Sequence, residues 1–205
     1  MRKLLNTIAV VSLCGTWIAS PVVAANHCAT AEQTQQIREF YAEKPGAMPV
    51  TVGGKLGLSA EVVTSGLPAG QAISVSAEAF TDVWALMCEW KEAVFVIMNG
   101  DNIFEVLTGV GVGRPSATSD YFNIEYKYPL RGHLRPELYG TIYAVAIPRN
   151  KNKISRGVLI FDQDGALLFG VYISGNVLSP SDSELAKFDK LWALIEAKPS
   201  VCPRS

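Results

Sequence analysis

The sequence predicts an α+β fold, in which helices near the N-terminus precede an antiparallel β-sheet and a last helix closes the chain. Helix caps and helical spacing of apolar residues dominate the first third, and apolar strand segments dominate the remainder. Short turns, Asn99-Gly100 and the segment QDG at 163–165, join consecutive strands. Connections this short make neighbouring strands antiparallel, because parallel strands need long crossovers.

The first 25 residues have the organisation of a secretory signal peptide. Arg2 and Lys3 form a positive start, residues 4–18 are mostly apolar, and small residues follow up to Ala25. A membrane anchor is the alternative, but this apolar helix would reach only about 22 Å, short of a hydrocarbon core of about 30 Å. We expect cleavage after Ala25, with Ala24 as the other candidate.

The mature chain has the composition of an ordinary globular domain. Without the leader it carries 16 basic and 19 acidic residues, a net charge of −3, which argues against a nucleic-acid partner. Residues 26–205 suffice for one domain, and no repeat or linker divides them. The leader predicts a periplasmic or secreted protein with no stable membrane insertion after cleavage.

The three cysteines left after cleavage predict one disulfide. Cys28 and Cys202 lie near the two mature ends, and a bridge between them would join the termini in an oxidising compartment. The alternative leaves both unpaired in the terminal tails. Cys88 lies on the apolar stripe of a predicted helix, and we expect a buried free thiol there. No CxxC or HxxxH spacing indicates a zinc site.

Four helices are predicted from caps and apolar spacing. Thr30 and Gln33 form a capping box at the start of a helix through Tyr41. Ser59 caps a second helix that stops within SGLP, and FTDVWALMCEW has an apolar stripe at helical spacing. A closing helix begins near Ser181. Its predicted apolar face consists of Leu185, Phe188, Leu191, Trp192 and Ile195.

Strands are predicted at AVFVIM, IFEVLT, YFNIEY, GTIYAVAI, GVLIFD and LLFGVYI. The segment LRGHLRP, residues 130–136, is interpreted as an exposed strand edge. Arg131, His133 and Arg135 would share one face there, since side chains in a strand repeat every two residues. A solvated edge with a spectator imidazole is the simplest interpretation of this segment alone. No catalytic set or glycine-rich phosphate loop is recognised, so an enzyme acting through side chains alone is not expected.

Several of these segments, in this order and at close to this spacing, resemble the ChuX/HutX haem-utilisation carrier proteins. They are EKPGAM, LSAEVVTSGLP, FTDVWALMCEW, YFNIEY, RGHLRPELYG and VLIFDQDGALLFGVYI. The similarity extends from about Gln35 to Trp192. It implies a homodimer that packs through its sheets and holds haem, or a related tetrapyrrole, in a cleft lined by the sheet. His133 falls on a histidine implicated in haem ligation in this family.

The resemblance singles out candidate haem-binding residues. The candidate axial ligands are His133, Met98 and Tyr121, with His133 the candidate metal ligand. The candidate propionate contacts are Arg131, Arg135 and, more weakly, Lys127. Met98 stands where a second histidine is expected, and a methionine at a strand end is more often core filler. Tyr121 would bind as tyrosinate, although a tyrosine is more often a packed ring.

Two functions follow. In the first, an exported haem carrier serves an unknown periplasmic haem donor or acceptor. In the second, a structural or protein-interaction module keeps the fold and has lost the ligand. His133 favours the first and Met98 the second. Members of this family are usually cytosolic, so the export signal excludes a cytosolic haem-degrading enzyme as partner. Haem-dependent activity is a third possibility, because haem itself would supply the reactivity.

Overall fold

The computed structural model describes residues 27–99, 102–127, 129–149, 153–173 and 179–203. Its helices are α1 (Ala31–Glu43), α2 (Pro49–Leu56), α3 (Ala60–Ser65), α4 (Phe80–Met87) and α5 (Asp182–Glu196). Its strands are β1 (Ala72–Ser76), β2 (Ala93–Asn99), β3 (Asn102–Thr108), β4 (Gly113–Pro115), β5 (Phe122–Ile124), β6 (Gly132–Leu134), β7 (Tyr139–Pro148), β8 (Ile154–Asp162) and β9 (Leu167–Ile173). The predicted α+β class, with an antiparallel sheet and a C-terminal helix, is confirmed. The predicted leader, residues 1–25, lies outside the described residues.

The predicted helix caps form as expected. Thr30 accepts a hydrogen bond from the backbone N–H of Gln33 at 3.2 Å, and the Gln33 side chain accepts one from the Thr30 N–H at 2.9 Å. Ser59 caps α3 and Ser181 caps α5 by accepting a hydrogen bond from the backbone N–H of Val62 and of Glu184, without the reciprocal side-chain bond. Helix α1 continues to Glu43, two residues beyond the predicted end. Along α5, Phe188, Leu191 and Ile195 are buried, and the remaining two predicted residues are half-buried against the core.

One helix, α2, and two strands, β1 and β4, were not predicted. Pro49 was interpreted only as a helix breaker, whereas it is the first residue of α2. A proline suits that position because its fixed φ is helical and its missing N–H would have no partner there. The helix ends at Gly57, whose φ of 68° is left-handed. Strand β1 follows a turn closed by the Gln71 N–H bond to the Pro68 carbonyl, and it pairs with β7 along its whole length. Strand β4 is only three residues long and pairs with β5.

The strands form two antiparallel sheets. A six-stranded sheet has the order β1-β7-β8-β9-β2-β3, and a small three-stranded sheet has the order β4-β5-β6. Both predicted hairpins, β2–β3 and β8–β9, lie in the large sheet. YFNIEY was expected to join the same sheet, but its strand β5 pairs only with β4 and β6. The segment LRGHLRP supplies β6, so His133 is in the small sheet.

A hydrophobic core lies on each face of the large sheet. The first contains α4, α5 and the inner face of the small sheet, and the second lies beneath α1, α2 and α3. Phe122 anchors the small sheet to the first core, with its ring centroid 5.1 Å from Phe80 and 5.7 Å from Trp84. Gly113 leaves room for this ring, since a Cβ at Gly113 would stand 2.1 Å from Phe122 Cε1. The small sheet is therefore held by close packing.

The predicted Cys28–Cys202 disulfide is confirmed, with a Cα–Cα distance of 5.4 Å. Cys202 is buried, and its backbone N–H donates to Ser74 Oγ at 3.2 Å. Cys88 is a free, half-buried thiol, and burial raises its pKa. In the described part of the chain, no helix has the length and apolar character needed to cross a membrane.

Candidate functional site

The candidate site is the outer face of the small sheet. Residues alternate between its two faces, so Phe122 and Ile124 of β5 point into the first core and Asn123 between them points outward. The antiparallel register places Asn123 opposite His133 on β6. We call this surface the His133 face, and its members are Arg114, Tyr121, Asn123, Arg131, His133 and Arg135. Strand β6 covers Gly132–Leu134, and Arg131 and Arg135 directly precede and follow it.

His133 is exposed, and one of its two ring nitrogens is already engaged. Its Nδ1 lies 2.6 Å from Asn123 Oδ1. No hydrogen bond to its Nε2 is found among the described residues. An exposed imidazole held at one nitrogen and open at the other has the arrangement of a histidine that can bind a metal.

An aromatic ring and a guanidinium lie beside this imidazole. The Tyr121 ring meets His133 edge to face, with centroids 5.7 Å apart. The Arg135 guanidinium carbon lies 5.4 Å from the centre of the Tyr121 ring on which it stacks. Arg135 also pairs with Glu137, and this hydrogen bond raises the pKa of the guanidinium. The structure therefore brings His133, Tyr121 and Arg135 together.

The remaining predicted cations are more loosely associated with His133. Arg131 stacks on the ring of Tyr126, 5.7 Å from its centre, and that ring is 73% exposed. Lys127 pairs with Glu125 at 3.3 Å. Arg114 pairs with the same carboxylate, and its hydrogen bond is the main reason that the pKa of Glu125 is lowered. The charge of Lys127 is thus partly neutralised by Glu125.

Met98 lies elsewhere in the fold. It is near the end of β2, opposite Ile103, and its half-buried side chain packs against the second core. The small sheet packs against the first core, on the other face of the large sheet. Met98 and His133 of one chain are not brought together, and the packing of Met98 matches the core-filler alternative. The axial-ligand assignments of His133, Met98 and Tyr121 stay predictions.

Two members of the site were not predicted, Asn123 and Arg114. Asn123 has a local signal, since it is the outward residue between two inward ones in YFNIEY, but its partner depends on the pairing of β5 with β6. Arg114 reaches the face through the pairing of β4 with β5. Only the three-stranded register places these residues beside His133.

The donor set fits haem in part. Haem needs an axial ligand, cations for its propionates and an apolar slot. The His133 face offers an open imidazole nitrogen, the exposed Tyr121 ring and two arginines, of which Arg135 stacks on Tyr121 and Arg131 on the neighbouring Tyr126. Its residues Arg114, Tyr121, Arg131 and His133 are exposed to solvent. Among the described residues, no cluster of three or more His, Cys, Asp or Glu side chains could hold a bare metal ion.

A second surface with binding character lies at the far edge of the large sheet. Edge strand β3 exposes Ile103 by 45%, Phe104 by 54% and Leu107 by 66%. A cleft of about 280 Å³ adjoins it and is lined by residues that include Val94, Val96 and Arg149. Exposed apolar side chains on an unpaired edge strand are typical of an interaction surface.

Comparison with known proteins gives one family and several similar structures. The family described as haem utilisation ChuX/HutX matches residues 73–191. A search of curated proteins found no match. The haem-binding protein ChuX has a similar structure, with a TM-score of 0.67 and 19% identity over 78% of this chain and 99% of that one. At this identity the similarity shows the fold.

Two longer proteins share the fold over about half of their own length. Apo-PhuS, a haem-binding protein from Pseudomonas aeruginosa, has a TM-score of 0.63 and 15% identity over 80% of this chain and 48% of that one. ChuS, an Escherichia coli haem oxygenase, has a TM-score of 0.61 and 16% identity over 82% of this chain and 50% of that one.

Proposed function

Because this chain belongs to the ChuX/HutX haem-utilisation family, we propose that it is a carrier that binds haem, or a related tetrapyrrole, with His133 as an axial ligand of the iron. The observation that carries this proposal is the exposed His133 imidazole, whose Nδ1 is hydrogen-bonded to Asn123 while Nε2 has no described partner. ChuX and PhuS, which share the fold, are named as haem-binding proteins. Haem is the cargo of such a carrier.

The other side chains of the face have separate roles in this proposal. Arg135 and Arg131 are oriented by stacking on Tyr121 and Tyr126, so less side-chain entropy is lost when they bind propionates. Lys127 is a weaker contact because it would have to leave Glu125. Tyr121 supports the imidazole by its ring contact and is the alternative oxygen ligand.

We further propose that the domain acts outside the cytoplasm, after removal of residues 1–25. The charged start and short apolar run of the leader support export. The carrier would then exchange haem with an unknown periplasmic donor or acceptor. The mass of the protein isolated from periplasmic material shows whether residues 1–25 have been removed. A mass that includes an intact Met1 would contradict this cleavage.

We also propose that the protein functions as a homodimer. The His133 face of one chain is exposed, so a haem molecule bound there would be open to solvent on its outer side unless a second surface covered it. The apolar edge strand β3 offers a surface for self-association. This chain matches only about half of PhuS and of ChuS, which supports a functional unit made of two copies of this chain. Light scattering at micromolar concentration should give a dimer mass. A monomer mass would count against this proposal.

Substitution of His133 is the direct test of the carrier function. Haem added to the wild type should give a sharpened, shifted Soret band. His133→Ala should lose this band shift and bind haem at least about tenfold more weakly, a loss of about 1.4 kcal/mol, because the iron loses its nitrogen ligand. Haem titration followed by absorbance measures both quantities.

His27→Ala is the matched control, since His27 is bonded to the backbone of Gln163, at the turn between β8 and β9. It should keep the wild-type spectrum. Met98→Ala should also keep the spectrum, because Met98 packs against the second core. Absence of haem binding by the wild type at micromolar levels would defeat the carrier function and favour the interaction module.

We propose transport rather than catalysis. E. coli ChuS is a haem oxygenase that shares the fold, so haem-dependent degradation is the specific alternative. Incubation of the haem complex with a reductant and oxygen separates the two. A carrier should show no loss of haem beyond that of free haem under the same conditions.

A further inference from the structure

We propose that Asn123 is a positioning residue for His133, accepting a hydrogen bond from Nδ1–H so that the lone pair of Nε2 is directed outward for the iron. This inference rests on the proposed haem-binding function and concerns a residue that has no role in the sequence-based prediction. In this proposal Nε2 of His133 binds the iron, and Asn123 makes Nε2 available.

The backbone fixes the pair before any ligand is present. Asn123 and His133 are directly opposite in the antiparallel register of β5 and β6. Directly opposite residues have Cβ atoms about 5 Å apart, close enough for short polar side chains to bond. Phe122 and Ile124, on either side of Asn123, are buried in the first core, and this burial fixes the outward direction of Asn123.

The chemistry of the contact assigns the proton. The Nδ1–Oδ1 distance is 2.6 Å. A carbonyl oxygen of an amide only accepts hydrogen bonds, so Nδ1 has to be the donor. A neutral imidazole carries one proton, and with that proton on Nδ1 the other nitrogen is left with its lone pair. Free histidine in water prefers the opposite tautomer, with the proton on Nε2. Asn123 therefore selects the tautomer that can bind iron through the exposed nitrogen.

The rest of the face limits rotation of the ring. Tyr121 meets the imidazole edge to face at 5.7 Å and is itself stacked by Arg135. A partner that fixes the tautomer and orientation of a metal-binding histidine contributes about 10–100-fold to metal affinity in other sites. The same gain is expected here, because the imidazole does not have to be reoriented on binding.

The first test uses the protein without haem. Nitrogen-15 NMR of the His133 ring should show the proton on Nδ1 in the wild type. Asn123→Leu is similar in size but accepts no hydrogen bond, so the population should shift toward the Nε2–H tautomer. Thr118→Ala is the matched control, since Thr118 lies exposed on the connection between β4 and β5 and forms its hydrogen bonds with Ser116. It should leave the tautomer unchanged.

The second test uses the haem complex. Asn123→Leu should weaken haem binding about 10–100-fold. Asn123→Asp restores a hydrogen-bond acceptor, and its negative charge makes the imidazole a stronger electron donor to the iron. It should recover binding, raise the iron–histidine stretching frequency in resonance Raman spectra and lower the reduction potential relative to the wild type. A merely structural role for Asn123 would move none of these spectroscopic quantities.

The outcomes separate this inference from the function on which it depends. If the wild type binds haem and Asn123→Leu has the same tautomer, affinity and spectrum, the positioning role is wrong and the carrier function stands. A wild-type ring protonated on Nε2 would overturn the positioning role in the same way. If the wild type binds no haem, both proposals fail together.

Discussion

Removal of the Cys28–Cys202 disulfide is expected to lower the free energy of unfolding by about 3–5 kcal/mol. The bridge joins residues separated by 174 positions, so it restricts nearly the whole described chain in the unfolded state. A loop of this length gives about 5 kcal/mol from chain entropy alone, an upper estimate. Urea unfolding of the double variant Cys28→Ala, Cys202→Ala against the wild type measures the change.

Cys88→Ala is the control for that measurement. Cys88 is unpaired with another cysteine and half-buried, so its removal should change stability by about 1 kcal/mol or less. Addition of a reductant should destabilise the wild type and Cys88→Ala alike and leave the double variant unaffected. Equal unfolding midpoints of the wild type with and without reductant would contradict the expected role of the bridge.

Phe122→Ala is expected to lower the free energy of unfolding by about 3–5 kcal/mol and to weaken haem binding as well. Phe122 is 3% exposed, and its ring packs against Phe80 and Trp84. Truncation would leave a cavity between the small sheet and the first core. The loss of packing would also loosen the strand pair that carries Asn123 and His133. Chemical denaturation and haem titration measure the two effects.

Phe122→Leu is the matched control, since it retains an apolar side chain that fills part of the space. It should lose less stability and bind haem more tightly than the alanine variant. Arg114→Gln tests the outer face separately, because Arg114 pairs with Glu125 at the exposed surface and this pair should contribute little to the free energy of unfolding. A Phe122→Ala variant with wild-type haem affinity would show that the site does not depend on this packing.

The sequence reveals local features of the site well. Alternation along LRGHLRP places Arg131, His133 and Arg135 on one face, because side-chain direction in a strand depends only on parity. The residues that contact His133 cannot be predicted from local alternation. Tyr121 and Asn123 are ten or more residues away, and they reach the imidazole only through the pairing of β5 with β6.

The position of Met98 could also be predicted only in part from the sequence. Its place at the end of the first hairpin strand is readable from AVFVIM and Asn99-Gly100. The sequence does not predict whether Met98 and the small sheet lie on the same face of the large sheet, because that depends on where β4–β6 pack. The structure places the small sheet on the first core and Met98 against the second.

The α+β class, the capped helices, both hairpins and the cysteine pair could be predicted from the amino-acid sequence. Caps, turns and side-chain periodicity are local features, and only two cysteines lie near the ends of the mature chain. Three features required the folded structure: YFNIEY and LRGHLRP form a separate sheet, Pro49 starts a helix, and Asn123 lies opposite His133. These outcomes depend on which apolar surfaces fill which core. Burial of Phe122 and Ile124 satisfies the first core, and that packing, which is non-local, sets the register that brings the site together.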